Sequence, residues 1–276
     1  ANAIAATISQ SGGKLRDIEL LTSLIARTVR SQIVAILGNV GLAIPLSALI
    51  AYAVFSVTGE HFVDADKATH LLEEQSLVAS GSAFYAAIAG VCLFLAGLIN
   101  GYFDNYAAYN RVPERILQLK WPKRLFGEYR MRRVSNYIGE NLGALSGNLI
   151  FGFLLGGIAI FGVLFGLPID IRHVAFSSAF VGIAVAASDF APNHWLLLWA
   201  ALGVATIGFV NLTVSFALAL NIALRSRQVS DTPWRMITGA VLRHLWRHPR
   251  DFFLPPKVES VGIVGTSEKA EQQAKT

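Results

Sequence analysis

Charge is scarce in this chain. Of 276 residues only 15% are Asp, Glu, Lys or Arg, while 54% are hydrophobic. Soluble domains carry about 25% charged residues, so the deficit excludes an ordinary water-soluble globule and points to a membrane protein. Cysteine is scarcer still: Cys92 is alone, inside an apolar run. That excludes an internal disulfide and suits a small buried residue. No Cys/His grouping has zinc-ligand spacing, and neither a metal nor a cofactor is expected. The first residues, ANAIAATISQSGGKLRDIE, lack an initiator Met and the basic-then-apolar layout of a signal peptide. A fragment or processed form of a longer protein is expected, with residues 1–32 the end of a cytoplasmic helical region. The missing upstream region is then one partner.

Long apolar runs are abundant. Crossing about 30 Å of hydrocarbon takes about 20 largely apolar residues. Four runs pass that test without a charged residue: 33–57, with Pro45 as a kink, 82–102, 145–167 and 195–224. A fifth, 174–187, would reach only about 21 Å as a helix. The expected fold is an all-α polytopic membrane helix bundle over 33–224, with four spanning helices and one short or re-entrant helix at 174–187. Residues 225–276 are expected to hold a basic amphipathic helix and a disordered tail.

Cytoplasmic loops carry excess Lys and Arg. The segment before Ile33 holds Lys14, Arg16, Arg27 and Arg30, and the tail holds Arg225, Arg227, Arg235, Arg243, Arg247 and Arg250. Between the second and third runs lie Arg111, Arg115, Lys120, Lys123, Arg124, Arg130, Arg132 and Arg133. The loop from Thr58 to Gly81 instead holds Glu60, Asp64, Asp66, Glu73 and Glu74 against Lys67. Four crossings put every basic segment inside and both termini in the cytoplasm; a fifth would expose the basic tail. Residues 174–187 are therefore expected to dip in and return, since irregular backbone at that depth must be buried in protein or line a wet cavity.

Thr232-Pro233 is a helix start, and PWRMITGAVLRHLWRH places Trp234, Ile237, Val241 and Leu245 on one face opposite most of the Arg and His residues. Such a helix fits anionic lipid at the inner leaflet. The bilayer itself and a second copy of the chain are the other expected partners. Tyr102, Tyr106, Tyr109, Trp121 and Tyr129 accompany the second basic segment as an interfacial belt.

Gly139, Gly143 and Gly147 recur every fourth residue, as do Gly152 and Gly156, and Gly162 and Gly166. This spacing lets helix backbones approach closely in lipid. Asn39, Asn100, Asn148 and Asn211 lie within the spans, and each is expected to face another helix. The charged exception is GLPIDIRHVAFSS, residues 166–178. A helix starting near Asp170 would align Asp170, His173 and Ser177 on one face, send Arg172 elsewhere and let Asp170 cap its own N-terminus. The trio lacks the separate oxyanion donors and cleft of acyl transfer, so no catalytic residue is assigned. Asp170, Arg172, His173, Ser177 and Asp189 stand as a candidate cluster, with too few carboxylates for a Ca²⁺ or Mg²⁺ cage.

The block GNLIFGFLLGGIAIFGVLFGLPIDIRHVAFSSAF resembles one family, the multi-span bacterial inner-membrane proteins known as site-specific recombinases of the gonococcal-crossover type. Gly147-Asn148, the glycines through Gly166 and LPIDIRHVAFSS carry the resemblance, and RDFFLPP (250–256) adds to it. It covers 103–256, and it implies a multi-pass bacterial inner-membrane protein. Recombinase chemistry is harder to locate. His244-Leu-Trp-Arg247 matches the His-x-x-Arg of tyrosine recombinases, but the last tyrosine, Tyr137, lies upstream of it. Convergent carboxylates for two-metal chemistry are missing, and nucleic acid is not expected as a partner. The expected function is a membrane anchor or assembly domain without catalytic chemistry in this chain; the alternatives are a solute channel or transporter gated by 170–189 and, third, the recombinase of the family's name.

Overall fold

The computed structural model describes residues 15–77, 81–167, 169–226 and 234–254, with side chains from residue 21 onward and from 235 in the last segment. Thr232-Pro233, Lys14, Arg16, Arg227 and the expected disordered tail lie outside the described side chains. All regular structure among the described residues is helical: α1 Leu15–Thr58, α2 Ala65–Gln75, α3 Ser82–Tyr109, α4 Val112–Leu117, α5 Lys120–Phe165, α6 Val174–Ala187, α7 His194–Ser226, α8 Trp234–Arg247 and α9 Arg250–Phe253.

Four of these, α1, α3, α5 and α7, are long and apolar enough to cross a bilayer. Their apolar faces are largely uncovered: only 6% of the most apolar window of α1 and 11% of that of α5 is buried inside the protein. Apolar surface on that scale marks contact with lipid or another chain. α1 is one helix of 44 residues, so no helix break falls at residue 32, and Pro45 lies inside it.

Local chemistry sets the ends. Asp64 caps α2 by accepting from the Lys67 amide at 2.7 Å. Gly127 kinks α5 with a φ of 77, a left-handed conformation that a residue with a side chain would resist. Gly166 ends α5 in the left-handed region, and the Leu167 amide closes the turn on the Gly162 carbonyl at 2.9 Å. Asn193 caps α7, its side-chain oxygen accepting from the Trp195 and Leu196 amides at 3.0 and 3.2 Å.

Small residues set the packing. α5 runs antiparallel to α3, with Gly147 against Ala96 and Asn100 and Gly143 against Asn100 and Asp104. α3 runs parallel to α7, with Gly90 against Val214 and the Asn211 carbonyl. α6 follows the second half of α1 in parallel: Gly182 meets Ile44 and Ser47, and Ala186 meets Ala48 and Ala51. α2 fills the space beside α6 and α7, its Ala68, Leu71 and Leu72 joining Val181, Ala184, Ala200 and Val204 in one core cluster.

The two poles differ in charge. Glu60, Asp64, Asp66 and Asp189 mark the acidic end, beside the α1–α2 and α6–α7 turns. Arg27, Arg30, α4 and α8 mark the basic end, where Ile237 of α8 packs on Leu21, Leu220 and Leu224. Arg30 donates to the Asp251 and Leu254 carbonyls, tying α9 to α1.

Candidate polar site at half depth

Asn211 is the hub of the interior. It is fully buried and lies 17 residues past His194 and 15 before Ser226, about 25 Å and about 22 Å along α7. Its side-chain amide donates to the Ala86 carbonyl at 2.7 Å and to the Arg172 carbonyl at 3.0 Å. Its side-chain oxygen accepts from the Val174 amide at 3.1 Å, the first of α6. One side chain thus holds α3, α7, the start of α6 and the segment before it.

These bonds fix the path of 166–178. After Gly166 the chain doubles back along α5. The Ile169 carbonyl meets Gly162, Ile171 joins Cys92 and Leu155, and the His173 ring stands edge-on to Phe151 with centroids 5.1 Å apart. α6 then climbs back toward the acidic end, where Asp189 sits 3.4 Å from His61. With 14 residues, α6 covers about half of the length of α7.

Arg172 sits at this turning point with 7% exposure. Its guanidinium lies 2.6 Å from Asp170 and 3.5 Å from Glu74, and Glu74 lies 3.0 Å from His70. α2 therefore ends beside this node, against α7. Gln75, next in line, is fully buried; its side chain donates to the Leu71 carbonyl at 3.2 Å, while its backbone carbonyl packs against Gly203. Two buried polar atoms here, Arg172 Nε and Gln75 Oε1, have no hydrogen-bond partner among the described residues. The site joins two carboxylates to one guanidinium, with an imidazole at its edge.

Several expectations need correction. Asp170 does not cap α6: the helix starts four residues later, at Val174, and Asn211 supplies the cap. Asp170 instead accepts from the Ile171 amide at 2.7 Å and pairs with Arg172; 169–173 is non-helical, and His173, just before α6, has an extended backbone. Among the described residues no hydrogen bond joins the Asp170, His173 and Ser177 side chains; Ser177 is buried and meets His173 only through the backbone. Asp189 stands at the opposite end of α6, so the five candidates form no single cluster.

The glycine ladder splits as well. Gly143, Gly147 and Gly162 pack closely, whereas a methyl added at Gly152 or Gly156 would meet nothing within 4 Å among the described residues, and Gly166 serves as a turn. The asparagines divide likewise. Asn100 and Asn211 face neighbouring helices, but Asn39 and Asn148 are exposed. Spacing identifies a helix face and not what covers it.

Sequence reasoning missed Glu74, His70 and Gln75, because their segment read as an outer loop by charge. The signal was present: Ala68, Leu71, Leu72 and Gln75 recur at helical spacing behind an Asp cap. At the basic end, His244 is tied to the Asp251 carboxylate at 3.0 Å, and Phe252 is buried beside it.

These features define a polytopic helical membrane protein with a polar node between a half-length helix and an irregular segment. The sequence model of one family, Site-specific recombinase, matches residues 1–255. The chain belongs to that family, and the match reaches well beyond the 103–256 block that carried the resemblance. No curated protein and no solved structure matches the chain.

Proposed function

We propose that this chain is a solute-handling membrane domain, with the acidic end outside, the basic end in the cytoplasm and the Arg172 node as its internal site. The supporting observation is Arg172 itself: a buried guanidinium halfway along α7, held by carboxylates from two segments that both end at that depth. A plain anchor gains little from it. A charge at the bilayer centre costs about 2.5–3.5 kcal/mol or more, and apolar replacement of a buried ion pair is often neutral or stabilising. Broken elements whose ends meet at half depth are the construction by which transporters place polar groups inside a bilayer.

Orientation follows from the positive charge around α4, α8 and the start of α1. A bacterial inner membrane is the setting this assumes, with anionic lipid against the arginines of α8. In this reading the family name describes descent, and strand exchange lies outside the chemistry of the node.

The test is flux. The full chain in liposomes is expected to dissipate imposed gradients of small cations, since two carboxylates outnumber the guanidinium. The triple variant Asp170→Asn/Arg172→Gln/Glu74→Gln, chosen so that neither carboxylate is left without the guanidinium, is expected to melt near the wild type and abolish flux. No flux from the wild type, or equal flux from both, would leave the anchor reading in place.

A further inference from the structure

At the acidic end, α2, the α6–α7 turn and the first turns of α7 enclose a cleft of about 520 Å³. That lies within the range of small-molecule sites. Its walls have an uneven chemistry. Trp195 and Trp199 stand one turn apart, with ring centroids 5.8 Å apart and planes at 86°, so the two indoles form a right-angled corner. Glu73 faces them from α2, and its carboxylate has no hydrogen bond or ion pair among the described residues. Thr69, Ser76, Ser188 and Asn193 add small polar groups, and among the described residues no Lys, Arg or His lines the cleft. Asn193 spends its oxygen capping α7, and Ser188 donates to the Ala184 carbonyl.

An aromatic corner with one carboxylate and no cation matches an organic ammonium ion. Indole faces attract cations through their quadrupole, and Trp is the strongest of the aromatic side chains in this respect. The wider field agrees: Glu60, Asp64, Asp66, Glu73 and Asp189 lie at this end against Lys67, which concentrates cations at the cleft. An interfacial tryptophan belt alone would not require a carboxylate opposite the rings. We propose that this cleft binds a small organic ammonium ligand, with Trp195 and Trp199 receiving its alkylated nitrogen and Glu73 balancing its charge. Glu73 and Glu74 are adjacent on α2, one facing the cleft and the other Arg172, so the cleft lies at the outer approach to the half-depth node. As the substrate class of that node the ligand rests on the solute-handling reading; as a binding site it stands without it.

The test uses the full chain in lipid nanodiscs, titrated with choline and tetramethylammonium and followed by calorimetry and indole fluorescence. The neutral carbon analogue of choline, 3,3-dimethylbutan-1-ol, serves as the comparison. Saturable binding of both cations is expected, with the neutral analogue weaker by about tenfold or more. Glu73→Gln and Trp199→Phe are each expected to weaken choline by about tenfold, while Asp66→Asn, elsewhere on α2, changes it little. Trp199→Phe keeps an aromatic ring, so loss of fold does not confuse the result. Absence of saturable binding, equal binding of the neutral analogue, or an unchanged Glu73→Gln overturns the assignment. Choline flux in liposomes separates the two readings. Binding without flux removes the solute-handling reading and leaves the cleft, whereas flux of inorganic cations without choline binding removes the cleft and leaves the node.

Discussion

Asn211 donates to the Arg172 carbonyl at 3.0 Å and accepts from the Val174 amide, two residues further on, at 3.1 Å. One side chain thus bridges both sides of the point where an irregular segment becomes a helix. The turn between them is buried midway along α7, where a backbone group without a protein partner would be costly.

Replacing Asn211 tests that bridge. Asn211→Ala strands the Val174 amide and the Ala86 and Arg172 carbonyls. Hydrogen bonds within membranes average about 0.6 kcal/mol, but a buried group left unpaired costs about 1–3 kcal/mol. A loss of about 2–4 kcal/mol is expected in reversible unfolding in mixed micelles. Asn211→Asp keeps the acceptor and loses the donors, so it should retain the cap on α6 and free the Ala86 carbonyl. A variant as stable as the wild type would show that the bridge carries little of the fold.

Arg172 gives a second, opposite pair of outcomes. Arg172→Met alone leaves Asp170 and Glu74 without their guanidinium. Both carboxylates are partly exposed, so the cost falls below that of a fully buried pair, at about 2 kcal/mol. Adding Asp170→Asn and Glu74→Gln to Arg172→Met should recover most of the loss, because no uncompensated charge then remains. Thermal denaturation of the single and triple variants in the same detergent measures it. A triple variant less stable than the single one would mean that the two carboxylates stabilise the fold through partners other than the guanidinium, such as His70 and the Ile171 amide.

The glycines of α5 separate by what they face. At Gly147 an added methyl would collide with the Asn100 side chain and the Ala96 carbonyl. Gly147→Ala must push α3 and α5 apart, and a loss of about 1–3 kcal/mol is expected. At Gly152 nothing lies within 4 Å, and Gly152→Ala should gain up to about 1 kcal/mol from helix propensity. Melting temperatures of the two variants in the same micelle should move in opposite directions. Equal shifts would show that Gly152 is covered in the micelle by lipid, detergent or a second copy.

How much of this was legible follows from the range of each interaction. The four long helices are written in local composition, since the bilayer acts on every residue of a span alike, and α6 covers the short apolar run 174–187. Long-range pairing is a different matter. Asn211 and Val174 are 37 residues apart, and nothing near Asp170 announces that a distant amide will cap the helix in its place. Charge counting treated Glu73 and Glu74 alike as outer-loop residues. Their difference appears only when α2 is placed between α6 and α7, with one carboxylate toward Arg172 and the other toward the tryptophans.

The course of the chain between α5 and α7 can be read by labelling. In a Cys92→Ala background, which leaves a small residue beside Ala89 and Leu155, single cysteines replace Asp66, Leu167, Phe180, Asp189 or Arg243. Leu167 follows the turn that ends α5, and Asp189 follows the end of α6. If α6 enters and leaves from the acidic end, a membrane-impermeant maleimide added outside cells labels Asp66→Cys, Leu167→Cys and Asp189→Cys. Arg243→Cys, on α8 at the basic end, reacts only after permeabilisation. Phe180→Cys lies in the middle of α6 on an exposed apolar face and should resist the reagent, because a thiol in hydrocarbon does not ionise. If α6 crossed completely, Leu167→Cys and Asp189→Cys would label from opposite sides, and Arg243→Cys would become accessible from outside. That pattern would place the arginines of α8 on the outer face, against the charge rule that orients the other segments, and would remove the outer approach to Arg172 on which the solute-handling reading depends.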